Sequence, residues 1–412
     1  MRTANRIKLK YVADYIQRGD APTYVDSNGV PVINQACVQS SGVDQSKIKL
    51  HDPEDSERIT AWLKKNDVLI NSTGTGTLGR VAHILDEPVP STFADGHVTI
   101  VRDTARRFES RYLFYVLSIQ QEQITVECAE GATNQIELSR HSLGNKYIDW
   151  PPLAIQQQIV RLLDQQIGTL DQLKSEKKRL LALLADKRRT LITHAVSSGL
   201  SSAAPSKDSG IPWLGNIPAH WKTERAKWLF IERDDRSESG DEELLSVSHL
   251  TGVTSRAAKN VNMFLAESLE GYKLCETGDL VINTLWAWMG AMGVTRQPGI
   301  VSPAYNVYQP VPELDPEYID LLVRTQRFAE EITRYSKGVW SSRMRLYPEG
   351  LYEAWLPVPP KEEQQAIVAH IKQETQKIDA FALATEKTIA LLQERRSALI
   401  SAAVTGQLNL GN

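Results

Sequence analysis

The chain has 412 residues, enough for two to three domains, and its 42% hydrophobic and 24% charged residues are those of an ordinary globular protein. No run approaches eighteen apolar residues and the basic start at 1–10 has no apolar core, so neither a membrane span nor a secretory signal is expected. The net charge of −3 gives no general attraction to nucleic acid, so any such surface must be a local patch.

Residues 1–150 read as the first globular unit, with a net charge of −2. Short apolar runs at 30–33, 67–71, 81–85 and 97–101 are separated by turn signals such as Asn28-Gly29, a strand-rich pattern. Residues 108–124 read as a helix with Tyr112, Phe114, Tyr115, Leu117 and Ile119 among its apolar positions, and 130–145 as a polar loop. The unit is α+β.

Residues 151–200 carry +4 and read as one long amphipathic helix. Leucines at 163, 170, 173, 180, 184 and 191 have spacings built from threes and fours, and only Gly168 interrupts the run. The stretch occurs again, ungapped, at 359–408. Pro151-Pro152 falls on Pro359-Pro360, Gln156-Gln157 on Gln364-Gln365, Arg188 on Arg396, and Leu191-Ile192 on Leu399-Ile400. A match over that length is a duplication. In the second copy Ile371, Ile378, Phe381, Thr388, Leu392 and Leu399 take the seam positions. Helices of this length, roughly 60 Å at 1.5 Å per residue, need a partner, and each copy is the obvious one for the other.

Residues 201–218 form a linker whose second half, with Trp213 and Leu214, is apolar enough to dock. Residues 219–358, with a net charge of −5, repeat the order of the first unit. Strands are expected near 244–247 and at 279–283, the latter mirroring 67–71. A helix is expected at 316–335 and a loop at 337–345. The second helical stretch with its tail, 359–412, is neutral.

Enzyme motifs are lacking: no Walker loop, His-Glu-x-x-His, GxSxG, zinc-deaminase pattern or amino-methyltransferase motif occurs. Gly74-Thr75-Gly76-Thr77-Leu78-Gly79 matches GxGxxG, but a strand pattern follows where a dinucleotide site needs a helix. Cys37, Cys128 and Cys275 are scattered, without metal or disulfide spacing, and fit a reducing cytoplasm. No cofactor is expected.

The chain resembles the DNA-specificity (S) subunit of type I restriction-modification systems. The likeness rests on the Pro-Pro-x3-Gln-Gln-x-Ile-Val lead-ins at 151–160 and 359–368, the ungapped helices, and the apolar-basic exits at 187–192 and 395–400. Gly131-Ala132-Thr133-Asn134-Gln135 and the lead 207–215 add to it. The resemblance implies two target recognition domains, each reading half of a bipartite site in double-stranded DNA. They would be separated by an intramolecular antiparallel coiled coil with approximate two-fold symmetry. It also implies a non-catalytic cytoplasmic chain that docks two methyltransferase (M) subunits and is joined by restriction (R) subunits, with no membrane partner.

Base reading needs side chains with paired donors and acceptors on loops. In the first unit these are Asn71, Thr73, Thr75 and Arg80, then Thr133, Asn134, Gln135 and Arg140. In the second they are Trp286, Trp288, Tyr305 and Asn306, then Lys337, Ser341, Arg343 and Arg345. The second unit's late loop lacks the Asn-Gln of the first. Gln156, Gln157, Gln364 and Gln365, with Leu181, Leu183, Ile389 and Leu391, are candidates for the M-subunit interface. A protein-interaction scaffold with two peptide- or protein-binding domains is the competing reading.

Overall fold

The structure is a computed structural model, and it describes residues 5–39, 42–105, 107–131, 136–201, 203–258, 268–338 and 344–408. The chain divides into two compact units. The first is Met1–Lys178 with Lys387–Asn412, and the second is Arg179–Glu386.

In the first unit a four-stranded antiparallel sheet has the order Tyr15–Arg18, Val98–Arg102, Val68–Asn71, Val81–His83. Val68–Asn71 is buried along its whole length, because helices cover one face of the sheet and a second four-stranded sheet lies in the same unit. The second unit has a sheet of the same order, Phe230–Arg233, Tyr305–Pro310, Leu280–Asn283, Met292–Val294. Its remaining strands form two-stranded ribbons, so the units differ outside the shared sheet.

The matching strands begin with the same turn. Asp67 Oδ2 accepts the Lys64 N–H at 2.8 Å, and Asp279 Oδ2 accepts the Glu276 N–H at 2.8 Å. The left-handed residue before each aspartate is Asn66 (φ 75°) in one and Gly278 (φ 97°) in the other, both residue types that tolerate that conformation. Each buried carboxylate then meets an arginine, Arg102 at 2.5 Å and Arg233 at 2.9 Å.

Each expected single helix is two. Residues 108–124 contain Ser110–Ser118, and Gln121–Cys128 follows it; 316–335 contain Pro316–Val323 and Gln326–Tyr335. In the second case Thr325 stops one helix and caps the next, its hydroxyl accepting the Phe328 N–H. The expected loop at 130–145 contains the strand Glu137–Leu138 and the helix Arg140–Asn145. The linker is partly built, since Ser206–Asp208 pairs with Asn216–Pro218. As expected, Leu214 is buried, and Trp213 packs on Phe328 and donates to the Trp355 carbonyl.

The long helices are Leu153–Ser198 and Lys361–Val404. Gly199 (φ 77°) and Gly406 (φ 74°) end them in the left-handed conformation that closes helix C-termini. They pack antiparallel within each unit. In the first, Ile159, Leu163 and Ile167 share a core with Ile400, Ala403 and Val404. In the second, Ala195 and Val196 share one with Ile367, Val368 and Ile371. Arg396 pairs with Asp171 at 3.5 Å in the first unit, and Arg188 with Asp379 at 3.1 Å in the second. Both members of one pair become the other pair under the 208-residue shift.

The seam corrects two expected positions. Leu173 and Phe381 are exposed, whereas Lys174, Lys177 and Leu181 are half-buried and Thr385 is buried. Steps of seven and ten residues drift around a 3.6-residue helix, so the buried line passes by Leu173 and takes in the stems of two lysines beside the remaining leucines. Thr375 and Thr385 satisfy their hydroxyls on the carbonyls four residues back, Ile371 and Phe381. Cys37, Cys128 and Cys275 are all buried free thiols. Among the described residues, no helix is long and apolar enough to cross a membrane.

Candidate nucleic-acid interface

In the first unit the strand Val68–Asn71 delivers the chain into a turn at 72–80. Asn71 and Arg80 close it, the Asn71 N–H donating to the Arg80 carbonyl at 2.9 Å and the Gly79 N–H to the Asn71 carbonyl at 2.9 Å. Gly74, Gly76 and Gly79 all have positive φ, so the glycines shape a turn, and the strand Val81–His83 follows. This is not a dinucleotide loop.

Two more segments converge on Ser72. Its N–H donates to the His97 carbonyl at 2.8 Å, and its own carbonyl accepts the Leu138 N–H at 2.8 Å. Thr73 donates to Gln35 Oε1 at 2.9 Å and lies 3.0 Å from His97 Nδ1. Arg80 donates to Gln39 Oε1 at 3.3 Å, and Thr75 stands exposed at the tip. Arg140, also exposed, donates to Gln17 Oε1. Asn71 differs from these. Its side chain is fully enclosed, the amide donating to the Gln35 carbonyl at 3.0 Å, so it braces the turn from below. Thr133, Asn134 and Gln135 lie outside the described residues.

The second unit repeats this convergence around Thr284. Its hydroxyl donates to the Ala304 carbonyl at 2.7 Å, and its carbonyl accepts the Leu346 N–H at 3.0 Å. Asn283 donates to the Tyr305 hydroxyl at 3.1 Å, and burial raises the pKa of that hydroxyl above the ordinary tyrosine value. Asn306 donates to the Tyr308 hydroxyl at 3.2 Å. Trp286 and Trp288 stack with ring centroids 6.1 Å apart, and Leu285 and Met289 are exposed beside them. Lys337 and Arg345 exchange two backbone hydrogen bonds of 2.9 Å, pinning the ends of the last loop, and the Arg345 guanidinium covers the Tyr347 ring. Ser341 and Arg343 lie outside the described residues.

The structure thus brings the described candidates of each unit to one end of its sheet, through a small hydroxyl residue at the end of a central strand. Gln17, Gln35 and Gln39 were not legible as partners, since nothing local in their sequence marks them.

The helix candidates separate into two kinds. Gln156 and Gln364 are buried and engaged within the chain. Gln156 accepts the Glu109 N–H at 3.1 Å, and Gln364 accepts the Asp315 N–H at 2.7 Å; each donates at 2.8 Å to the proline carbonyl ahead of its helix, Pro151 or Pro359. Gln157 and Gln365 are exposed, Leu181 and Ile389 half-buried, and Leu183 (55%) and Leu391 (63%) stand out in solvent.

A duplicated pair of α+β modules, each finished by segments of two long helices, is the class that this fold defines. Residues 4–182 match the type I restriction modification DNA specificity domain. The chain is 25% identical over 223 residues to a specificity subunit assigned to the type I restriction enzyme MjaX of Methanocaldococcus jannaschii, spanning about half (50%) of that relative's length. Its fold is similar to a chain from a structure describing complex assembly and conformational transition of the type I R-M system. That chain has 15% identity and a TM-score of 0.69, over 98% of both chains. It is also similar to the HsdS subunit from Thermoanaerobacter tengcongensis, with 16% identity and a TM-score of 0.52 over 98% of this chain and 97% of the other.

Proposed function

We propose that this chain is the DNA-specificity subunit of a type I restriction-modification complex. Its units, 1–150 and 219–358, are two target recognition domains, each reading half of a bipartite site. The long helices at 151–200 and 359–412 space them and dock two methyltransferase subunits, and restriction subunits join that assembly. The chain itself performs no chemistry.

One observation carries this reading above the others. The same sheet order is built twice, and each copy gathers three loops at Ser72 or Thr284, while the loop sequences differ. A shared support with divergent tips suits two readers of unlike half-sites. Thr73, Thr75, Arg80 and Arg140 in the first unit, and Trp286, Trp288, Lys337 and Arg345 in the second, are the described groups nearest that role. Gln157, Gln365, Leu183 and Leu391 are the helix positions open to a partner subunit.

A protein-binding role has one observation in its favour, the exposed Leu285, Trp286 and Met289 in the second unit. DNA binding weakens steeply with salt and apolar peptide binding does not, which separates the two. The deciding experiment is methylome sequencing of cells carrying this gene with its methyltransferase, against deletion of this gene alone. Loss of one spacer-interrupted motif is expected. An unchanged methylome with the methyltransferase expressed overturns the reading.

A further inference from the structure

The first unit carries a cationic strip that the reading loops leave unused. Arg6 and Lys8 lie on the strand Asn5–Lys8, which pairs with Tyr147–Trp150, and both cations sit over the Tyr147 ring, 5.7 and 5.5 Å from its centroid. Lys10 follows on the turn Leu9–Tyr11, its Nζ 5.4 Å from the Tyr11 centroid. Tyr147 is 49% exposed and Tyr11 60%, so the rings hold the cations along the surface instead of packing in the core. Asp149 lies 3.8 Å from Arg6; among the described residues no carboxylate lies within ion-pair distance of Lys8 or Lys10.

The strip runs on toward the reading end of the unit. The Leu9 N–H donates to the Lys146 carbonyl at 3.0 Å, and a Cβ at Gly144 would meet the Lys10 side chain at 3.5 Å. This seats Lys10 against the helix Arg140–Asn145, which opens with exposed Arg140 and His141. The nearby acids are engaged elsewhere. Glu137 pairs with Arg18 at 2.7 Å, Glu130 accepts from the Ser142 hydroxyl at 2.9 Å, and Asp14 accepts from the Thr104 N–H at 2.9 Å and from the Thr104 hydroxyl at 2.6 Å.

The second unit's equivalent surface is different. Its ribbon, Lys222–Arg225 paired with Trp355–Val358, includes Glu224, and Arg225 is ion-paired to Glu353. Its helix Pro348–Glu353 opens with Pro348 and Glu349 where the first opens with Arg140 and His141. Among the described residues, the motif that the two surfaces share is a lysine over the next aromatic ring, Lys227 over Trp228 at 5.0 Å from the centroid.

We propose that Arg6, Lys8, Lys10 and Arg140 bind the phosphate backbone of double-stranded DNA beside the half-site read by the first unit. This rests on the DNA-reading role above and adds to it an unequal division of labour: the first unit supplies more of the sequence-independent attachment than the second. Alternate strand residues such as Arg6 and Lys8 stand about 7 Å apart, which suits successive phosphates on one strand. Ile7 between them packs against the core, so what the strip turns outward is its cations and the two tyrosine rings that hold them.

The test compares the full chain, assembled with its methyltransferase subunits, with Lys8→Gln/Lys10→Gln and Lys222→Gln/Lys227→Gln. Binding is measured from 50 to 200 mM salt on a duplex with the methylome-derived target and on a scrambled duplex. The Lys8/Lys10 pair should lower the slope of log affinity against log salt by about two on both duplexes, since each phosphate contact carries roughly 0.9. The Lys222/Lys227 pair should lower it by less, and Lys8→Arg/Lys10→Arg should keep the wild-type slope. An unchanged slope for Lys8/Lys10, or a loss confined to the target duplex, overturns the strip while the DNA-reading role stands. Loss of the methyltransferase subunits with an unchanged slope assigns the strip to a protein contact and also overturns it. A wild-type assembly that binds neither duplex overturns the reading role itself.

Discussion

Gln364 Oε1 accepts the backbone N–H of Asp315 at 2.7 Å, while its amide donates to the carbonyls of Pro359 and Glu313. One side chain thereby ties the start of the second long helix to the start of the helix Pro316–Val323. Gln156 does the same with Glu109 and Pro151 in the first unit, with one bond fewer.

These glutamines are therefore braces. Removing a buried partner strands the groups that it satisfied, at about 1–3 kcal/mol each. Gln364→Ala is expected to destabilise by about 3 kcal/mol and Gln156→Ala by about 2, read as shifts in thermal or denaturant midpoint. Unchanged midpoints together with lost subunit association would return both residues to the partner interface.

Gly168 interrupts the first long helix, and a Cβ built there meets nothing within 4 Å. Gly168→Ala should stabilise the chain by about 1 kcal/mol, the helix-propensity difference, with no change in partner binding. Denaturant unfolding checks this; a lower midpoint would mean that the position is occupied in the working assembly.

His83 is buried on the strand Val81–His83, its Nε2 3.0 Å from the Ser110 hydroxyl and its Nδ1 enclosed without a partner. Burial, aided by the nearby Arg111 charge and partly opposed by Asp164, holds its pKa down to about 4. Below the ordinary value of about 6.5 the unfolded chain takes up a proton that the folded chain refuses, so stability falls on acidification from 6.5 toward 4. From pH 7 to pH 5 the loss from this group is about 2 kcal/mol. His83→Gln should flatten that part of the melting profile, and identical pH profiles for the two proteins would rule the mechanism out.

Leu183 and Leu391 are equivalent positions of the duplicated helices, and both face solvent. Leu183→Glu and Leu391→Glu are expected to leave melting within about 0.5 kcal/mol of wild type and to cut association with the proposed methyltransferase partner at least tenfold, measured by co-purification and by titration. Full association with both variants would place the partner elsewhere.

The sequence revealed the parts of this fold that depend on pattern. The duplicated helices, the paired strands at 67–71 and 279–283 and the docking of Trp213 and Leu214 were all legible, because apolar spacing and turn residues act locally. Leu173 and Phe381 were misplaced on the seam because helical drift accumulates over distance, beyond what step counting resolves. The helix break at Thr325 was hidden because a cap and an ordinary helical threonine look alike until the Phe328 N–H is seen on the hydroxyl. Gln35 and Gln39 reach Thr73 and Arg80 from some forty residues away, and no single sequence marks such a meeting. His97 likewise comes to Thr73 only through the sheet.

The core of the first unit includes Ile400, Ala403 and Val404, whereas the second unit is one uninterrupted stretch, Arg179–Glu386. Biosynthesis therefore inverts the order of the units. The module made second has all its parts as soon as residue 386 has left the ribosome, while the module made first must wait, with the face around Ile159 and Leu163 uncovered, until the second helix is nearly complete. A truncation within the last twenty residues should damage the domain at the far end of the gene, and a chaperone that shields nascent chains would find its substrate there.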